Sequence, residues 1–466
     1  MKYATAMATV AAATVAGLLT LTACGGGAGG GHGTGAAAPG GNGPQALKVK
    51  ATVPQAFDNS KGWQDALPWV PEDATGRPFA VAPGAGIVAL LKKKGGSYVL
   101  EARDEATGAL RFSGRPWQPP EPQESAGGRA ETPGVEAVER DGREYLAVWA
   151  HGLDGKDALS KGKEVVAVAL YPAGTSGTSA APARVVKVPV ESFSSVARVR
   201  DAGAGLLVTT KGGDESVSVD PRTGRTKRYP HSLEVGEPTC GAIGCVSSEV
   251  KALTRRGPVL DGSAGGFGIP GVWNSSRAVP PGAKTDDYEK YKSRARLAVS
   301  GHLLASWTAK DDEGDGGDGG DGDDIWAVHN AETGKVEASV RCALDSLTDQ
   351  GSGEDYPSAL SLNGRYLTAG PLAFDLKKGK GYCFAEGDEQ RQILLLSVGD
   401  DGQAYGMTQG DAAGTAGAAV AVPLSTGRPK VLPKGTQPPL LSLRTAGAFA
   451  PPADGPGVLF AFYRRR

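Results

Sequence analysis

Five cysteines, five histidines and one dense run of aspartates carry most of the chemistry that this sequence of 466 residues could do. Cys240, Cys245, Cys342 and Cys383 contain no C-x-x-C pair, so zinc is a poorer use of these thiols than cross-linking. His32, His151, His231, His302 and His329 are not spaced as metal pairs, and no H-E-x-x-H is present. A serine nucleophile needs a strained strand-to-helix elbow, and no G-x-S-x-G stands in such a setting. Residues 311–324 hold seven aspartates, Glu313 and six glycines. Calcium is the tempting ligand there, but the EF-hand order of oxygen donors is not reproduced. A solvated insertion between Trp307 and Trp326 accounts for the run better. The sequence therefore assigns no catalytic, cofactor-binding or metal-ligating residue.

Cys24 is different. Lys2 supplies a short positive start, Ala4 to Leu21 is apolar and uncharged, and Leu21-Thr22-Ala23-Cys24 runs into Gly25-Gly26-Gly27. This stretch resembles a bacterial lipobox. The resemblance implies cleavage before Cys24, a diacylglycerol with palmitate-type chains on its sulfur, and residence on the extracytoplasmic face of the cell membrane. An uncleaved anchor is a rival reading, since the apolar run approaches the ~20 residues of a spanning helix; an ordinary secretory signal is another. Lipidation is preferred because no basic flank follows. In an oxidising compartment the other four cysteines read as two disulfides. Cys240 and Cys245 flank Gly241-Ala242-Ile243-Gly244, a hairpin that could bring their β-carbons within the ~4 Å a bridge needs. Cys342 and Cys383 then pair by elimination, at the ends of two successive repeats.

The elements that position these residues are read from composition and punctuation. Gly25 to Pro44 holds 11 glycines in 20 residues, a flexible tether with a reach of ~25 Å. Residues 1–23 are thus a signal peptide, 24–44 a lipidated tether, and 45–466 one folded domain. Lys plus Arg is 50 against 51 Asp plus Glu, without a basic patch, so nucleic acid is excluded as a partner. Short apolar runs between Gly, Asp, Asn and Pro clusters make the domain all-β.

Two turn patterns repeat. A glycine turn precedes an apolar strand at Pro83–Gly86, Asp141-Gly142, Gly203–Gly205, Gly241–Gly244, Ser300-Gly301, Asn363-Gly364, Asp401-Gly402 and Asp454-Gly455. A D-x-x-T-G turn closes another strand at Asp104–Gly108, Asp220–Gly224 and, with Asn, at Asn330–Gly334; Pro423–Gly427 and Asp375–Gly379 are worn copies. Asp or Asn bonds its own backbone there, and Gly takes the positive φ where the hairpin reverses. The pattern resembles the PQQ-like (quinoprotein-like) β-propeller repeat, in which each blade's third and fourth strands meet at such a turn. The usual tryptophan after it is missing. The resemblance implies four-stranded blades, eight in number with seven as the alternative. Val458 to Tyr463 should share a composite closing blade with an N-terminal segment near Leu47 to Val53.

The functional expectation is a monomeric, membrane-anchored propeller that binds an envelope protein, peptide or glycan as scaffold or sensor, without a cofactor. The alternative is a propeller enzyme, a quinone-dependent dehydrogenase or a hydrolase, with its site at the channel mouth. Fold resemblance alone does not carry activity.

Overall fold

The computed structural model describes residues 45–466 except 72–73, 75, 123–130, 191–196, 211–214, 231–247, 263–264, 286–292, 312–323, 345–356, 388, 411–416 and 454. Cys24, the tether, Cys240, Cys245 and most of the acidic run lie outside these residues. Within them the regular structure is all strand, apart from one 3-10 turn at Ser275–Arg277.

Why strands form, and why they stack radially, is visible in Ile87–Lys94. Ile87 to Leu91 are all buried, which a sheet with one wet face does not allow. Val88 and Leu90 pack with Phe460 and Phe462 of the last blade. Ile87, Ala89 and Leu91 pack with Leu146, Val148 and Tyr171 of the second. The next blade repeats the arrangement, its Trp149, Val166 and Val168 meeting Val199, Leu206 and Val208 of the third. Each sheet is therefore sandwiched between two others, with side chains alternating between the two interfaces. Leu, Val and Ala dominate because every position in such a strand faces a core.

The sheet order is a propeller. Four-stranded meanders begin with Phe79–Ala82, Gly134–Arg140, Ala197–Asp201, Ser248–Thr254, Arg294–Val299, Ser358–Leu360 and Ile393–Val398, and the eighth begins with Leu441–Ser442. First strands are neighbours from the first blade to the third and from the fourth to the eighth, so they form the inner ring. The eighth blade is composite: Phe57–Leu67 pairs antiparallel with Val458–Arg465 as its fourth strand. Trp63 stacks on Phe462, with ring centroids 4.0 Å apart, and donates its indole N–H to the Glu105 carbonyl of the first blade at 3.0 Å. Asp65 lies between Lys92 and Arg103, and Arg103 also pairs with Glu101 at 2.7 Å. Closure in this way leaves no open edge at the seam.

The outermost strands of the fifth and sixth blades, Val336–Cys342 and Lys380–Cys383, touch in parallel and join two blades into one eight-stranded sheet. Cys342 and Cys383, the last residues of these strands, form a disulfide, which links neighbouring blades as expected.

Two expectations are corrected, and a third falls outside the described residues. The closing strand is Phe57–Leu67, not Leu47 to Val53; the latter residues instead cover the cluster around Phe57, Phe449 and Tyr463. The polar stretch Asp58-Asn59-Ser60-Lys61 hides the strand, since it lies on the solvent edge. The fourth blade turns first at Arg255-Arg256, and the turn expected at Gly241–Gly244 lies outside the described residues. There Thr254 makes the turn, donating its hydroxyl to Gly257 O at 2.8 Å and accepting Arg256 N–H at 3.1 Å, without an Asp-Gly signal. The last blade turns first after Ser442, where Glu105 accepts the N–H and hydroxyl of Thr445 at 3.2 and 2.9 Å. Gly455 belongs to its second hairpin, and Asp454 lies outside the described residues.

Candidate functional site

The two faces of the ring are built differently. On one face lie the first-to-second and third-to-fourth hairpins, including all five turns of the D-x-x-T-G type. Asp104 Oδ1 accepts the Thr107 N–H at 3.0 Å and the Thr107 hydroxyl at 2.8 Å, while Gly108, at φ 69°, donates to Asp104 O at 2.8 Å. Asp220–Gly224 and Asn330–Gly334 repeat this network. Such tight, self-satisfied turns leave little to offer a ligand.

The opposite face carries the second-to-third hairpins and the crossings between blades. Here Gly114, Pro230, Thr308 and Cys342 end strands, and Gly134, Ser248, Asp324 and Ser358 begin the next. The second blade adds a ribbon: Arg143–Lys156 and Lys161–Pro172 remain paired as far as Lys156 and Lys161, beyond the first strand's last partner at Trp149. At its tip Asp157 Oδ1 accepts the N–H groups of Leu159 and Ser160, both at 2.7 Å, and Leu159 is 100% exposed.

Beside this ribbon, between the first two blades, lies a cavity of about 740 Å³. One wall is the aromatic corner of Trp69 and Tyr98, with centroids 5.0 Å apart and planes at 74°. The other is the extended segment around Pro119, Pro120 and Pro122, which links the blades. Trp117 exchanges two backbone hydrogen bonds with Tyr98 at 2.7 and 2.9 Å, and Glu121 does so with Leu153 at 2.9 and 3.0 Å.

His151 lies at the edge of this cavity. Its Nδ1 is 2.9 Å from Glu131 Oε2 and its Nε2 is 2.7 Å from Glu164 Oε1. Burial alone would lower the pKa of this imidazole, but the hydrogen bonds and charges of Glu131 and Glu164 outweigh it and raise the value. With both ring nitrogens facing carboxylates, the imidazolium donates to each and pins the segment carrying Glu131 to the second blade.

Two further carboxyls are perturbed on the inner strands. Burial pushes Glu136 up to about 7, with Arg77 opposing and Asp201 adding to the rise. Burial likewise takes Asp201 up to about 6, against the Gly203 N–H that it accepts at 2.9 Å. Among the described residues no three His, Cys, Asp or Glu side chains gather as a metal site.

Of the residues singled out by sequence, Cys342 and Cys383 are brought together, and Cys24, Cys240 and Cys245 lie outside the described residues. Trp149 and Trp307 are core, whereas Trp117 and Trp273 are partly buried. Sequence spacing does not group the cavity residues Trp69, Tyr98, Glu131 and His151, or Glu164 beside His151, as a site. Their only signal was the proline-dense stretch after Trp117, because convergence from two blades leaves no local spacing.

No family model matches the chain, and no curated protein sequence does. The fold is a β-propeller. Similar solved structures include the WD40 domain of Toxoplasma gondii coronin, at 12% identity over 90% of this chain and 89% of that one, with a TM-score of 0.30. The Dos1 propeller is similar at 11% identity over 86% and 95%, with a TM-score of 0.39. A europium-containing methanol dehydrogenase is similar at 11% identity over 83% and 76%, with a TM-score of 0.35. The assignment of the fold rests on the sheet order and ring closure described above.

Proposed function

We propose that this chain is a monomeric lipoprotein on the extracytoplasmic face of the cell membrane, held by lipid on Cys24, whose propeller binds an envelope protein, peptide or glycan. The observation that carries the binding reading is the asymmetry of the ring: mostly tight turns on one face, and the protruding ribbon and the cavity on the other. A pocket of this size with a few convergent polar groups is the usual form of a binding site. The Leu21–Cys24 motif supports the anchor, and the Cys342–Cys383 bridge suits an oxidising compartment.

The test joins both parts. The chain should label with palmitate, sediment with membranes and capture material from envelope extracts, while Cys24→Ser should lose label and retention. A Cys24→Ser chain that stays membrane-bound contradicts the anchor; a wild-type chain that captures nothing contradicts the binding role. A second reading, an enzyme, is favoured by Glu136 and Asp201, since perturbed carboxyls near a channel are a feature of active sites. Turnover abolished by Glu136→Gln would select it.

A further inference from the structure

The lining of the cavity between the first two blades narrows what it can hold. A peptide added as a strand needs free main-chain donors and acceptors along an edge. Here the backbone pairs of Trp117 with Tyr98 and of Glu121 with Leu153 are already made, and Pro119, Pro120 and Pro122 have no N–H to give. A polyproline segment laid against aromatic rings needs a donor for its carbonyls, such as an indole N–H. That of Trp69 is spent on Leu91 O at 2.8 Å.

What remains is an aromatic corner with polar side-chain ends around it. Gln118 and Lys93 are exposed at the rim, with the Lys93 ammonium 5.9 Å from the Tyr98 centroid. The formal charges also balance locally. His151 sits between Glu131 and Glu164, Lys156 pairs with Glu121 at 2.7 Å, and Lys93 offsets the surplus carboxylate. An apolar ring face, a rim of side-chain donors and acceptors and no net charge match a molecule with C–H faces, a hydroxyl edge and no charge of its own.

We infer that this cavity binds a short neutral oligosaccharide, stacked on the Trp69–Tyr98 corner and hydrogen-bonded at its rim by Gln118 and Lys93. The volume of about 740 Å³ lies within the range of ~300–1,000 Å³ that holds a compact ligand. The inference rests on the binding reading above and names its ligand.

The test is calorimetric titration of the full chain in detergent with chitotriose, cellotriose and maltotriose, with trigalacturonate and octaproline as comparisons. At least one neutral trisaccharide should bind saturably, and its affinity should fall about tenfold or more, ~1.4 kcal/mol, in Trp69→Leu and measurably in Gln118→Ala. Gln118 is exposed, so its variant folds even if loss of the Trp69 anchor harms the blade. Absence of saturable binding by all three neutral sugars overturns the inference, as does binding indifferent to both substitutions. Tighter binding of trigalacturonate, or octaproline binding that Trp69→Leu removes, also overturns it. Envelope capture that persists in those cases leaves the loop-face reading standing, whereas loss of capture removes both.

Discussion

His329 offers a test of the inter-blade core through pH. It is 0% exposed, between the edge of Phe267 and the face of Trp307, and its Nδ1–H donates to Gly334 O at 3.1 Å. Nε2 has no partner, so the neutral tautomer is the one that fits. Burial pushes the pKa down from 6.5 to about 4, with the Gly334 hydrogen bond and Glu337 opposing. The unfolded chain therefore takes up a proton that the folded chain refuses. Stability is complete above pH 6.5 and is lost as pH falls towards 4, by about 2 kcal/mol between pH 7 and pH 5 and about 3 kcal/mol at pH 4. His329→Asn keeps a donor for Gly334 O and removes the titration, at a constant cost in packing. Urea unfolding at pH 7 and pH 5 measures the difference, and taking wild type against variant cancels Glu136, Asp201 and the other titrating groups. The stability gap between the two proteins should narrow by about 2 kcal/mol on acidification. Parallel pH dependences would refute the reasoning and mean that water or a mobile packing reaches the ring.

Three other outcomes follow from the architecture. Cys342→Ser should lower stability by about 4 kcal/mol, the loop-closure value for a separation of 41 residues, read by denaturant midpoint in the absence of reductant. Trp63→Ala should cost ~3–5 kcal/mol and expose the seam between the last and first blades to proteolysis, since the indole fills the closure and satisfies Glu105 O. Deletion of residues 312–323 should leave the melting temperature nearly unchanged, because a run of glycines and like charges contributes no core. Marked stabilisation by millimolar calcium that this deletion abolishes would reverse that expectation.

The sequence revealed the ring better than the site, for physical reasons. The D-x-x-T-G turns were legible because one side chain satisfies the local backbone, a rule that needs no tertiary context; Asp104, Asp220 and Asn330 all obey it. The turn at Thr254–Gly257 escaped because a threonine hydroxyl replaces the Asp-Gly pair. Phe57–Leu67 escaped because one edge of the strand faces water, so its apolar half was too sparse to read. His151 and Glu164 are 13 residues apart on paired strands, while Glu131 arrives from the crossing between blades. Only the register of Arg143–Lys156 against Lys161–Pro172 brings them together, and no motif encodes that register.

The central claim is that one face of the propeller is the binding face. Hydrogen exchange of the full chain, alone and after capture on envelope extract, tests it directly. Protection should fall on peptides covering 93–98, 115–122 and 150–163, and spare the turns at 104–108, 220–224 and 330–334. Protection confined to those turns, or none on the loop face despite capture, would contradict the account.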